Sequence, residues 1–180
     1  WLIALHELTK DGLLLERAIQ AYEAALGYYA KAVLPNRRAE IFWEIARTRS
    51  LTGDHAKASD NFLHASDEFE AAAKKFPRLK GMSEDYSAYM RAWAEIEQAR
   101  HSQFRQDYGL ARTHYDKAAE LHSMTERWSY LSANYRAWAQ IECGEDLSRS
   151  DDSVAAARAF RLATDLFAKS VEMIKPQSKK

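Results

Sequence analysis

The chain has 180 residues, enough for one ordinary domain with a real apolar core. Its 26 basic and 26 acidic residues balance, which disfavours a nucleic-acid ligand, since phosphate-binding chains usually carry a basic excess. No run of 18 apolar residues exists to span a membrane, and one cysteine, Cys143, excludes an internal disulfide.

Taken from the start, "WLIALHELTK" lacks the basic start and continuous apolar stretch of a signal peptide. The chain opens on Trp1 with an apolar pattern already under way, so we expect a fragment of a longer polypeptide. Ala, Leu, Glu, Lys and Arg dominate, valines are few, and apolar residues recur at three- and four-residue steps. Breakers fall at Asp11-Gly12, Pro35-Asn36, Gly53-Asp54, Pro77 to Gly81, Asp107 to Gly109, Ser148 to Asp152 and Pro176. Between them the pattern predicts seven or eight helices and no strand, an all-α protein.

Those helices pair into a repeat. "SAYMRAWAEIE" at 87–97 and "SANYRAWAQIE" at 132–142 agree at eight of eleven positions. Beyond Trp93 and Trp138 the same offsets of 18, 22 and 25 lead to Ala111, Tyr115 and Ala118, and to Ala156, Phe160 and Ala163. Phe42, Ile45, Ala46, Gly53, Asp54, Ala58, Phe62 and Ala65 form an earlier copy with a shorter turn, and Leu2, Leu5, Ala18, Tyr22 and Ala25 a fainter one. Small residues on the second helix let two backbones approach, and the aromatic between them fills the groove. A unit of this kind needs a neighbour to bury its face. We place four units at about 1–34, 37–76, 84–123 and 126–175 in a single domain over 1–175, with 176–180 a short polar tail.

The unit from Phe42 to Ala65, with its large–large–small first helix and Gly53-Asp54-His55 turn, resembles a tetratricopeptide repeat. The later units carry two extra turn residues and put Glu97 and Glu142 where that family has a small residue. Their length is similar to long-helix relatives such as the soluble NSF attachment protein-like solenoids. The resemblance implies a right-handed α-α superhelix (a TPR-like solenoid) whose first helices line a concave face that grips a peptide or partner helix. Carried over residue by residue, it puts Trp43, Arg47, Arg91, Glu95, Gln98, His101, Arg136, Gln140 and Cys143 on or near that face. The lysine and asparagine clamp of the chaperone-binding members is absent, because Ala94, Gln98, Ala139 and Cys143 stand at the matching positions.

Arg91 and Arg136 are equivalent one unit apart, and guanidinium groups favour carboxylates. They anchor an acidic segment of a partner or else pair locally, Arg91 with Glu95 one turn on. Glu97 and Glu142 each follow a tryptophan by four residues, which sets them beside the packed seam. Neither has the Glu-x-x-His step of a di-iron bundle, and pairing with Arg100, Arg112 or Arg158 is expected instead. None of the six histidines forms an i, i+4 pair, and His114 and His122 stand roughly 12 Å apart along a helix, too far to share one ion. Glu142 and Glu145 beside Cys143 disfavour a reactive thiolate, and no glycine-rich phosphate loop occurs. No metal, cofactor or catalytic group is expected.

In the last helix the charges gather on one stripe, leaving an apolar arc wider than one seam needs. Phe160, Ala163, Phe167, Val171 and Ile174 can pack inside, whereas Leu162, Leu166 and Met173 lack a partner and suggest a homodimer flank, unless the preceding helix covers both. The function expected is a cytoplasmic, non-catalytic protein-interaction scaffold. The alternative is the sensing or regulatory solenoid of a larger signalling ATPase or enzyme.

Overall fold

In the computed structural model, residues 2–174 are described, and they are helical almost throughout, with no strand among them. The helices are α1 (Leu2–Thr9), α2 (Leu13–Ala32), α3 (Pro35–Leu51), α4 (His55–Lys75), α5 (Lys80–Phe104), α6 (Tyr108–Ser123), α7 (Leu131–Arg149) and α8 (Ser153–Ile174). A 3₁₀ turn, Pro77–Leu79, precedes α5. The polar tail 176–180 and Trp1 lie outside the described residues.

Local chemistry sets the helix ends. Asp54, Asp107 and Asp152 precede the second helices α4, α6 and α8, and each carboxylate accepts the backbone N–H three residues on, from Lys57, Leu110 and Ala155 at 3.3, 3.1 and 3.0 Å. The aspartate thereby satisfies one of the orphan donors at each helix start. The turn before α4 uses Gly53 at φ +78°, a left-handed conformation that costs glycine nothing. Pro35 opens α3 at a position where its missing N–H is not needed.

The chain divides into two compact units, Trp1–Glu97 and Gln98–Lys180. The first is built on α1 to α4 and the part of α5 up to Glu97. Its core gathers Ala39, Ala46, Phe62, Ala65, Phe69, Met90 and Ala94, with Phe42, Trp43, Tyr86, Tyr89 and Trp93 half-buried against it. Ala46, Ala58 and Ala65 are fully buried, so α3 and α4 approach closely and Phe62 fills the space between them. The second comprises the end of α5 with α6, α7 and α8. There Ala111, Ala118, Ala137, Ala139, Ala156 and Ala163 supply the small surfaces and Tyr115 and Tyr135 the bulk.

The repeated "RAWA" segments divide their work between small and large residues. Ala92, Ala94, Ala137 and Ala139 are the buried members. The indoles lie along the seam: Trp93 stacks on Phe62 at 5.9 Å and Trp138 on Tyr115 at 5.9 Å, and Trp138 keeps 37% of its surface exposed. Small residues set the helix spacing, and the tryptophans cover the joint.

Candidate functional site

Glu97 is wholly buried at the C-terminal edge of the first unit. Its Oε1 accepts the Ser50 hydroxyl at 2.9 Å, and His55 Nδ1 lies 2.7 Å from its Oε2. Ser50 ends a first helix and His55 opens the next one, so the carboxylate ties the turn between α3 and α4 to α5. A buried carboxylate is tolerated only when donors replace the water it has lost, and here both oxygens have one. The Ser50 hydroxyl donates to the carboxylate, which thereby holds the end of α3.

Glu142 plays the corresponding part in the second unit with other partners. Its Oε1 accepts from Gln103 Nε2 at 2.5 Å, and Gln103 Oε1 in turn accepts the Tyr115 hydroxyl at 3.1 Å. No hydrogen bond reaches its Oε2 among the described residues. Burial, with the nearby Glu145 charge, pushes this carboxyl above the usual range despite the Gln103 hydrogen bond. The sequence placed both glutamates at the packed seam, and both are buried. Ser50 and His55 reach Glu97, and Gln103 reaches Glu142, from positions 39 to 47 residues away. Only the equivalence of successive turns could have brought these up.

His122 is a second buried polar group that spacing alone did not single out. It stands where α4 has Phe69, stacks on Tyr135 at 5.2 Å, and is held by burial at a pKa of about 4. It is a neutral aromatic packing residue. Among the described residues no three His, Cys, Asp or Glu side chains gather to hold a metal ion.

The exposed chemistry lies elsewhere. In the first unit, Trp43 packs against Tyr86 and Tyr89, Arg47 pairs with Glu44 at 3.2 Å, and the Arg91 guanidinium pairs with Glu70 on α4 and donates to Ser66 at 3.2 Å. Arg91 thus meets an acid across the helix pair. In the second unit, Gln98, His101 and Gln140 are half-buried and Arg136 is exposed.

Between α6 and α7 runs an open groove of about 450 Å³, walled by Arg112, Asp116, Lys117 and Glu120 from one helix and Cys143 and Asp146 from the other. Arg112 donates to Cys143 Sγ at 3.3 Å and lies 3.9 Å from Asp116. Burial raises the Asp116 carboxyl above its ordinary value, against the opposing pull of Arg112 and Arg136. The groove can therefore hold side chains of either sign. Of the groove residues the sequence reading had placed only Cys143 on the binding face, although Arg136 and Gln140 belong to the same helix.

On α8, Leu162 and Met173 are 47% and 38% exposed and Leu166 is half-buried. The flank expected to pack inside is also open, with Val171 54% and Ile174 40% exposed. Among the described residues no helix is long and apolar enough to cross a membrane. Comparison with known protein families, with curated proteins and with solved structures found no match.

Proposed function

We propose that the chain is a non-catalytic protein-interaction module, a tetratricopeptide-like α-solenoid of four helix-turn-helix units. It binds a peptide or partner helix, in the second unit along the groove between the second helix α6 and the first helix α7, and the single cysteine suits a reducing cytoplasm. The polar groove of the second unit carries this reading. The buried carboxylates Glu97 and Glu142, with their half-buried partners Ser50, His55 and Gln103, hold helices to one another. What remains available to a ligand is the open strip of Arg112, Asp116, Lys117, Glu120 and Asp146 with Arg136 and Gln140 nearby on α7. A peptide of both signs fits it, with carboxylates meeting Arg112, Lys117 and Arg136 and a cation meeting Asp116, Glu120 or Asp146.

The test is a selection of random peptides displayed on phage, with the intact chain as bait. Enriched peptides are then titrated by fluorescence anisotropy. Binding that weakens about tenfold in both Arg136→Glu and Asp116→Lys, as loss of one charge-assisted contact implies, supports the proposal. Peptides indifferent to both substitutions, or no enrichment at all, refute it.

A further inference from the structure

Two of the short segments that join helices in the first unit are basic without any acid. "KAVLPNRR" at 31–38, around the turn from α2 to α3, holds Lys31, Arg37 and Arg38. "KKFPRLK" at 74–80, between α4 and α5, holds Lys74, Lys75, Arg78 and Lys80. The chain as a whole has no net charge, so positive charge is gathered at these two places. Short turns make α2, α3 and α4 run up and down, which brings both segments to one end of the unit. Lys75 Nζ joins them by donating to the Val33 carbonyl at 2.6 Å. The turn at the other end, Leu51-Thr52-Gly53-Asp54-His55, has no such excess.

The charges are available. Arg38 is half-buried against Glu68 at 2.9 Å, and the other cations of both segments are exposed. Of these only Arg37 and Lys80 meet an acid among the described residues, Glu40 at 2.7 Å and Glu84 at 3.8 Å, in exposed pairs that contribute little. Apolar side chains stand open among the cations: Val33 is 61%, Met82 51% and Leu79 37% exposed. Val33 also ends α2 in the left-handed conformation, at φ +51°. Glycine or asparagine closes a helix there without strain, whereas a β-branched residue is strained. Such an outlier on an exposed apolar side chain points to a surface role.

We propose that this end of the first unit docks on a membrane surface rich in anionic lipids. The exposed cations lie against the headgroups, while Val33, Leu79 and Met82 enter the boundary between headgroups and acyl chains. Nucleic acid is the other polyanion that such charge could meet. Its phosphates would use the cations but leave the aliphatic side chains in water, whereas an anionic bilayer uses both. The attachment is peripheral, since no helix among the described residues is long and apolar enough to cross a membrane. None of these residues belongs to the groove between α6 and α7, so either surface can fail without the other.

The test is co-sedimentation of the intact 180-residue chain with phosphatidylcholine vesicles containing about 30% phosphatidylserine. Half of the chain should be bound at a lipid concentration on the order of 1 mM, and vesicles of phosphatidylcholine alone should leave it in solution. Lys74→Gln combined with Arg78→Gln should weaken binding about 25-fold, at about fivefold for each charge near an anionic surface. Leu79→Ser combined with Met82→Ser should weaken it about tenfold. Lys57→Gln, at the opposite end of α4, should change nothing. All five positions are exposed, and matching far-UV circular dichroism checks that the variants fold. The proposal is overturned by no binding, by equal binding to phosphatidylcholine alone, or by full retention in the glutamine pair. Vesicle binding that tolerates the serine pair, with a duplex oligonucleotide held through the same cations, assigns the patch to nucleic acid and overturns it too.

Discussion

Acidification should weaken the second unit through one residue, His122. Its imidazole is fully buried against Tyr135, and burial holds its pKa at about 4 in the folded chain. In the unfolded chain an imidazole titrates near its ordinary value of about 6.5. Between these two values the unfolded state binds the proton and the folded state does not, so stability rises with pH across that window. The stabilisation is complete above pH 6.5 and is lost as the pH falls toward 4. A gap of about 2.5 units corresponds to roughly 3.4 kcal/mol at its limit, and to roughly 2.5 kcal/mol between pH 7 and pH 4.5. Glu142 acts in the opposite sense, because its raised carboxyl keeps a proton in the folded state that the unfolded state has released. The comparison must therefore be made against a variant in which only the histidine changes. His122→Phe keeps a ring for Tyr135 to stack on. Urea unfolding followed by near-UV circular dichroism at both pH values should show wild type losing about 2.5 kcal/mol more than the variant, near 1 M in midpoint for an ordinary slope. Equal losses in the two proteins would refute the assignment of the acid sensitivity to His122.

Gly144 lies inside α7 with the Phe160 ring against it, so an added Cβ would meet Cε1 at 2.6 Å. Gly144→Val should destabilise by about 2 kcal/mol in thermal unfolding, and the double variant with Phe160→Ala should cost less than the sum of the singles. Phe62→Ala removes the ring that fills the space between α3 and α4 and stacks on Trp93, and chemical denaturation should report a loss of about 3–5 kcal/mol. Glu97→Leu deletes the acceptor shared by Ser50 and His55 and should cost about 2–3 kcal/mol, whereas Glu97→Gln, which keeps one oxygen, should cost about 1 kcal/mol in the same assay.

Much of the fold was legible because its signals are local. The capping aspartates, Pro35, Gly53 and the spaced alanines each act within one turn of helix, and they fixed where α3, α4, α6, α7 and α8 begin or end. The burial of Glu97 and Glu142 was legible for the same reason, since four residues from a seam aromatic is still the seam. Their partners were not. Ser50, His55 and Gln103 meet them from 39 to 47 residues away, across packed helices within each unit, and no local pattern carries such a contact. The seam position of the tryptophans is local too, while the fully buried places go to the flanking alanines. The groove between α6 and α7 needs two helices to exist, and its α6 wall of Arg112, Asp116, Lys117 and Glu120 reads in one dimension as an ordinary solvated face.

Helix packing here follows chain order: α1 lies on α2, α2 on α3 and α3 on α4 in the first unit, and α6 on α7 and α7 on α8 in the second. Few contacts must wait for a distant segment, so little loop-closure entropy has to be paid before packing begins. During synthesis α2, α3 and α4, and later α7 and α8, each leave the ribosome with the helix they pack on already made.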